Sequence, residues 1–156
     1  MEATWKHGNS LAEKEEYKFD VATGNLGAKL EYIEDSTTGN FKTKRTMNYT
    51  YGNPSKQKNA VTSVAILNEA GFNTHTIQYQ YDNVGNMIQR DNDVFLYNQR
   101  NKLEKIKKQN NPDDTVQYIY DYTGSRVKKV IDSTNSSVYY LGGLYEVART
   151  DGQPDR

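Results

Sequence analysis

Apolar and polar positions alternate with a period of two along most of the chain, the pattern of half-buried strands rather than helices. Ala28, Leu30 and Tyr32 share one phase, and so do Met47, Tyr49 and Tyr51. Successive side chains of an extended chain point to opposite faces, so each such run predicts a strand with one apolar face. Residues 60–67 form the most apolar stretch; Val61, Val64, Ile66 and Leu67 predict a strand covered on more than one side. Residues 75–81 predict the returning strand. Residues 12–16 are ambiguous, because Ser10 and Glu13 form a capping-box pattern in a helix-favouring sequence. Gly8-Asn9 before them and Tyr17-Lys18-Phe19 after them favour a strand, and so short a helix is marginal without packing.

The breaks between these runs repeat. Five of the eleven glycines are followed by Asn, at Gly8, Gly24, Gly39, Gly52 and Gly85. Tyr79-Gln80-Tyr81-Asp82-Asn83-Val84-Gly85-Asn86 shows the full unit. Tyr79 and Tyr81 share a strand face. Asp82 opens a turn, where a short carboxylate accepts a backbone N–H two residues on. Gly85 takes the positive φ that such a turn needs. Tyr118, Tyr120, Asp121 and Gly124 form a second copy. Tyr17, Phe19, Asp20 and Gly24 form a third, with one extra turn residue. Tyr97, Asn98 and Asn101 form a fourth, with Asn for both the Asp and the Gly. Asparagine accepts the same N–H and tolerates left-handed geometry. Turn points fall 13 to 23 residues apart, the spacing of a meander of hairpins.

The Y-x-Y-D-x-x-G-N copies resemble the YD-repeat, or Rhs-repeat, family. Asn53-Pro54 with 59–64, and Tyr139-Tyr140-Leu141-Gly142-Gly143-Leu144-Tyr145-Glu146-Val147, are similar to that family's C-terminal region. The resemblance covers roughly residues 5–150. It implies an all-β fold, a spiral or meander of β-hairpins forming an open segment of a hollow shell wall, over residues 1–150, with 151–156 a loose tail. It also implies a secreted or cell-surface protein whose shell encloses or presents a C-terminal polymorphic toxin. Flanking YD repeats and that toxin are then the partners. Family members often carry an autoproteolytic core with a D-P-x-G-type motif after the repeats. No such motif occurs here, and Asp151 and Asp155 do not restore it, so no self-cleavage is expected.

Composition sharpens this reading. The chain is 35% hydrophobic, with 13 Tyr and 16 Asn among 156 residues. Tyrosine suits half-buried strands and asparagine suits turns, so a thin wall with stacked tyrosines is expected in place of a thick aliphatic core. Eight tyrosines, Tyr17, Tyr49, Tyr51, Tyr79, Tyr81, Tyr97, Tyr118 and Tyr120, fall at repeat positions. Twenty acidic and twenty basic residues give zero net charge, which argues against a nucleic-acid footprint. The lysines between 102 and 108 read as a solvated strand face. No apolar run is long enough for a membrane-spanning helix, and no signal-peptide core is visible.

Candidate chemistry is thin. There is no Cys, so disulfides and thiol chemistry are excluded. His7 and His75 stand far apart with no metal-ligand spacing. Asp91-Asn92-Asp93 resembles a calcium loop only faintly; its glycine is missing and Lys102 stands where a bidentate Glu is needed. No G-x-S-x-G occurs. The recurring Asp20, Asp82 and Asp121 read as turn caps, since catalysis needs one site and a fold needs the same turn many times. The expectation is a structural, non-enzymatic segment with no cofactor and no metal. The alternative is an extracellular module holding glycans or mediating adhesion on exposed aromatics. Open strand edges and zero net charge also predict concentration-dependent self-association of the isolated segment.

Overall fold

The computed structural model describes residues 2–5, 12–52, 58–111, 113 and 115–151. Among them it contains thirteen strands and one short 3-10 turn at Asp132–Thr134. Within the first six strands and within the last seven, strand order follows chain order, an open antiparallel meander in each. The all-β hairpin architecture read from the alternation is the one observed. The expected repeat elements at Gly8-Asn9 and Asn53-Pro54 lie outside the described residues, as does the tail beyond Asp151.

The chain forms two compact units, Met1–Tyr79 and Gln80–Arg156. The first carries β1 (Glu2–Trp5), β2 (Glu13–Phe19), β3 (Leu26–Glu34), β4 (Phe41–Tyr51), β5 (Val61–Asn68) and most of β6 (Asn73–Tyr81). The second carries β7 (Met87–Arg90), β8 (Asp93–Tyr97), β9 (Leu103–Lys108), β10 (Thr115–Tyr120), β11 (Arg126–Ile131), β12 (Ser136–Leu141) and β13 (Tyr145–Thr150). The ambiguous stretch after Ser10 is a strand, β2. It is held by a full ladder to β3, from Glu13 opposite Ile33 to Tyr17 opposite Lys29. A ladder on both sides outweighs the local helix preference of Glu and Lys.

Burial is shallow. Among the described residues only Val64, at 5% exposure, and Thr115, at 2%, are fully buried. Val64 sits mid-strand in β5, between Tyr49 of β4 and Ile77 of β6. The Thr115 hydroxyl is satisfied by the Asp132 carboxylate, as a buried polar group requires. In the first unit the face holding Glu15, Lys29, Glu31 and Arg45 is tied by charge. Lys29 Nζ lies 2.5 Å from Glu15 and 3.0 Å from Glu31, and Arg45 lies 2.6 Å from Glu31. Several tyrosine rings are covered by cations. Arg126 stands 4.2 Å from the Tyr118 ring centre, Lys128 4.8 Å from that of Tyr139, and Lys29 5.7 Å from that of Tyr17.

A defect recurs in the ladders. In β2/β3, Lys18 faces Ala28 but Phe19 faces Leu26, so Gly27 is an extra residue. The same slip leaves Thr62 extra in β4/β5, Glu104 in β8/β9 and Val127 in β10/β11. These four bulges fall on the outgoing strand just past the turn, as does Thr74 in β5/β6, while Lys44 in β3/β4 lies deeper in its strand; an extra residue raises local twist.

Candidate functional site

The site that recurs along the chain is the turn itself. In Asp82–Asn86 the Asp82 N–H donates to the Asn86 carbonyl at 2.9 Å and the Gly85 N–H donates to the Asp82 carbonyl at 3.2 Å. The Asp82 carboxylate reaches forward over the turn. One oxygen accepts the Val84 N–H at 3.0 Å and the Asn86 N–H at 2.8 Å, and the other accepts the Asn86 side-chain amide at 2.9 Å. Asp121 repeats this, accepting the Thr123 N–H at 2.9 Å and the Ser125 N–H at 3.0 Å. Asn98 does so with its amide oxygen, accepting from Arg100 at 2.9 Å and Lys102 at 3.1 Å. One side-chain oxygen thus satisfies two turn N–H groups that the ladder leaves without partners.

The closing residue is left-handed in each case. Gly85 has φ +93°, Gly124 +87° and Gly24 +72°, and Asn101 takes +54° in the glycine's place. The Asp20 turn is one residue longer. Its carboxylate accepts the Thr23 N–H at 2.7 Å and hydroxyl at 2.8 Å, and that hydroxyl accepts the Asn25 N–H at 3.3 Å. Asp35 builds the same longer turn through Thr38 and Asn40. Asn68 builds the shorter one, accepting Ala70 N–H at 3.1 Å and Phe72 N–H at 3.0 Å, with Gly71 at φ +81°. Neither Asp35 nor Asn68 follows a tyrosine, so the Y-D signature does not mark them.

Hydrogen bonding holds the Asp121 carboxyl below its ordinary value, first through the Thr123 hydroxyl and then through backbone N–H groups. The Asp20 carboxyl is lowered in the same way by Thr23. For Asp35 the Thr38 N–H leads.

A second device joins one hairpin to the next. Tyr51 donates its hydroxyl to the Leu26 carbonyl at 2.9 Å, Tyr97 to that of Met87 at 3.0 Å, and Tyr120 to that of Leu103 at 2.7 Å. Tyr97 and Tyr120 immediately precede the Asn or Asp of their turns, and Tyr51 immediately precedes Gly52. Each acceptor is the first residue of the neighbouring strand. The β3/β4 ladder ends at Ala28 opposite Asn48, and the β9/β10 ladder at Lys105 opposite Gln117. The β7/β8 ladder ends at Gln89 opposite Val94. The clasped carbonyls therefore lie beyond the last paired residue, and the phenol supplies the missing donor. Continued past the ladder, the register puts Thr50, Leu96 and Ile119 opposite the three carbonyls. In every case the clasping tyrosine is the next residue.

Turn tips are linked as well. The Asn25 amide donates to the Lys58 carbonyl at 3.1 Å, and the Arg100 guanidinium donates to the Tyr122 carbonyl at 2.8 Å.

This fold has known counterparts. A chain of the Tc holotoxin pore of Photorhabdus luminescens matches with TM-score 0.55 and 15% identity over 89% of this chain. Chains in the TcdB2–TccC3 complex and in the TcdB2–TccC3–Cdc42 complex match with TM-score 0.54 and 16% identity over 90% and 91%. The chain shares the fold of these Tc toxin components. It spans only 8% to 9% of their length. No protein-family model matches the sequence, and no curated protein matches it.

The remaining repeat positions are placed as follows. Phe19 occupies the pre-turn position of the Asp20 turn but has no hydroxyl to give. Tyr49 is half-buried beside Val64, and burial pushes its phenol up. Tyr81 precedes Asp82 and ends β6, with Tyr79 two residues before it. Tyr17 donates to Glu15 and Tyr118 lies under Arg126. Asp91-Asn92 is a tight hairpin turn with Asp91 at φ +49°, and Asp93 is paired with Arg90 at 3.0 Å and Lys108 at 2.5 Å. Among the described residues no cluster of His, Asp and Glu could hold a metal ion, and no helix is long and apolar enough to cross a membrane.

Proposed function

We propose that this chain is a structural wall segment of a secreted or cell-surface YD-repeat protein, a wall that encloses or presents a C-terminal toxic polypeptide. The segment works mechanically and without catalysis. Its partners are the flanking repeats and the toxin, and it uses no cofactor. The observation that carries this reading is the repeated unit of capped turn and tyrosine clasp. The same few bonds recur hairpin after hairpin, as a growing wall requires and a single catalytic site does not. The shared fold with Tc toxin chains supports the toxin context.

The test uses the whole natural reading frame around this segment. The parent protein is purified and digested with a protease of broad specificity, and the region downstream of the repeats is followed by mass spectrometry. That region is expected to resist cleavage in the native protein and to be cut once the wall is opened with denaturant. Rapid cleavage of the downstream region in the native protein overturns the reading. So does a glycan array on which the segment binds a defined sugar through its tyrosines, since that result favours an adhesion module.

A further inference from the structure

The exposed apolar side chains of the second unit are not scattered. Seven large ones are exposed among the described residues from Gln80 onward. Val84, Tyr122 and Leu144 lie in the turns that follow β6, β10 and β12. Leu96, Ile119, Leu141 and Tyr145 lie at strand ends next to such turns. All seven therefore border one edge of the sheet, the edge of the tyrosine clasps. The turns along the opposite edge are polar: Asp91-Asn92, Gln109-Asn110-Asn111 and Ser133-Thr134-Asn135.

Register puts four of the seven on one face. Leu96, Lys105, Gln117, Val130, Ser137 and Arg149 are successive cross-strand partners from β8 to β13. Two residues nearer the clasp edge, Ile119, Lys128, Tyr139 and Val147 form a second row, and Leu141 opposite Tyr145 begins a third. Cross-strand partners, and residues two apart in a strand, share a face. Leu96 thus stands beside Lys105, and Ile119 beside Lys128. The Lys128 and Arg149 head groups lie 4.8 Å and 5.5 Å from the Tyr139 ring centre. These rows hold three cations and no carboxylate. The bulge residue Glu104 adds one carboxylate next to Leu96 and Lys105. Asp132 and Asp151 lie past the far ends of β11 and β13, and Asp132 is engaged by the Thr115 hydroxyl. Near the clasp edge the face is therefore apolar and positive.

Cations interleaved with exposed aliphatic side chains make an interfacial surface, with charge complementary to anionic lipid. An acidic polypeptide laid across the face reaches Lys105, Lys128 and Arg149. It leaves Tyr122 and Leu144, 89% and 84% exposed at their turn tips, in water. A bilayer takes both sets. Leucine at the tip, tyrosine beside it and long-stemmed cations behind is the order in which these side chains meet hydrocarbon, headgroup and phosphate. Lys128 and Tyr139 stand about 7 Å behind the Leu141 and Tyr145 pair, two residues back along their strands. The carboxylate of the Tyr122 turn, Asp121, is turned onto the Thr123 and Ser125 N–H groups, which spares those donors on entering a less polar layer.

We propose that this edge and face of the second unit dock peripherally on an anionic phospholipid bilayer. Tyr122 and Leu144 enter the headgroup boundary, and Lys105, Lys128 and Arg149 lie against lipid phosphates. This goes beyond the wall reading and does not rest on it.

The full chain, at concentrations where sedimentation shows a monomer, is floated with vesicles of phosphatidylcholine alone or with about 30% phosphatidylserine, an anionic lipid. Saturable binding to the anionic vesicles, weakened by salt, is expected. Lys105→Gln combined with Lys128→Gln is expected to weaken it about 25-fold, about five-fold for each cation lost. Leu144→Ser, at an open turn tip, is expected to weaken it about ten-fold. Lys129, which pairs with Tyr118 and Val138, is on the other face. Lys129→Gln is the control and is expected to change binding by less than about two-fold. A loss in Lys129→Gln as large as that per lysine in the double variant shows attraction by net charge alone and overturns the proposal. Unchanged binding in Leu144→Ser overturns the insertion. Absence of binding to the anionic vesicles overturns the docking site. Binding of poly-glutamate without binding of vesicles assigns the face to an acidic polypeptide and also overturns it. Circular dichroism of each variant, matched to the parent chain, separates lost binding from lost fold. Protease shielding in the parent protein involves no lipid, so the wall reading stands or falls separately.

Discussion

Tyr120 and Leu103 lie seventeen residues apart in sequence, yet the phenol of one donates to the carbonyl of the other at 2.7 Å. The bond forms where the β9/β10 ladder has already ended, so the phenol stands where a ladder N–H would otherwise donate. Tyr120→Phe keeps the ring and removes only the donor. It is expected to cost about 1 kcal/mol, since a half-buried carbonyl loses its partner. Urea denaturation of the variant reads this as a lower midpoint at unchanged slope. Tyr97→Phe is expected to behave alike.

The left-handed turn residues separate backbone strain from packing. A Cβ built on Gly85 meets nothing within 4 Å, so any cost of Gly85→Ala is conformational. At φ +93° that cost is expected at about 1–2 kcal/mol. Asn101 already sits at φ +54°, and Asn101→Gly is expected to be neutral or mildly stabilising. Thermal denaturation of both variants checks the pair; destabilisation by Asn101→Gly sinks the account.

Asn68 caps its turn as Asp82 does, without a tyrosine before it. Asn68→Ala strips two backbone N–H groups of their acceptor and is expected to cost about 1 kcal/mol. Asn68→Asp keeps the acceptor and is expected to retain most of the stability. Equal loss in both variants, read by chemical denaturation, shows that the side-chain oxygen is not what closes the turn.

The lowered carboxyls set an acid limit. A group whose folded value lies below its ordinary value of 3.8 contributes stability that is complete above that value and lost as pH falls through the folded one. Asp121, Asp20 and Asp35 therefore predict a decline that begins near pH 4 and continues below it. Asp121→Asn keeps an acceptor oxygen, as Asn98 does naturally, and is expected to flatten part of that decline. An acid limb unchanged in Asp121→Asn, followed by circular dichroism from pH 6 to pH 2, rules out this turn as a contributor.

The strands were legible because alternation and turn chemistry agree over short windows. Asp20, Asp82, Asn98 and Asp121 announce their turns through a glycine or asparagine three or four residues on. Asn68 was harder. Residues 69–71 read as a turn, but with no tyrosine before Asn68 nothing marked it as the same cap. The clasps were not legible at all. Tyr51 meets Leu26 only because a turn, two strands and the Lys44 bulge carry it there, and the bulge residues Gly27, Lys44, Thr62, Thr74, Glu104 and Val127 share no side-chain signature. The tyrosines were also expected to act through stacked rings. In the structure several act through their hydroxyls or beneath Lys and Arg, because neighbouring positions on the same face are charged.

Only Val64 and Thr115 are fully buried among the described residues. A sheet this thin exposes little additional apolar surface when it comes apart, and apolar exposure dominates the heat-capacity change of unfolding. The stability curve of the chain is expected to be correspondingly flat. Calorimetry of the chain is expected to give a shallow, broad transition well below the heat-capacity increment of roughly 12–15 cal/mol/K per residue typical of globular domains. Temperature is then expected to be a weak control on such a sheet. A change in hydrogen bonding at the hairpin ends is a strong one, and acid is the solvent condition that supplies it.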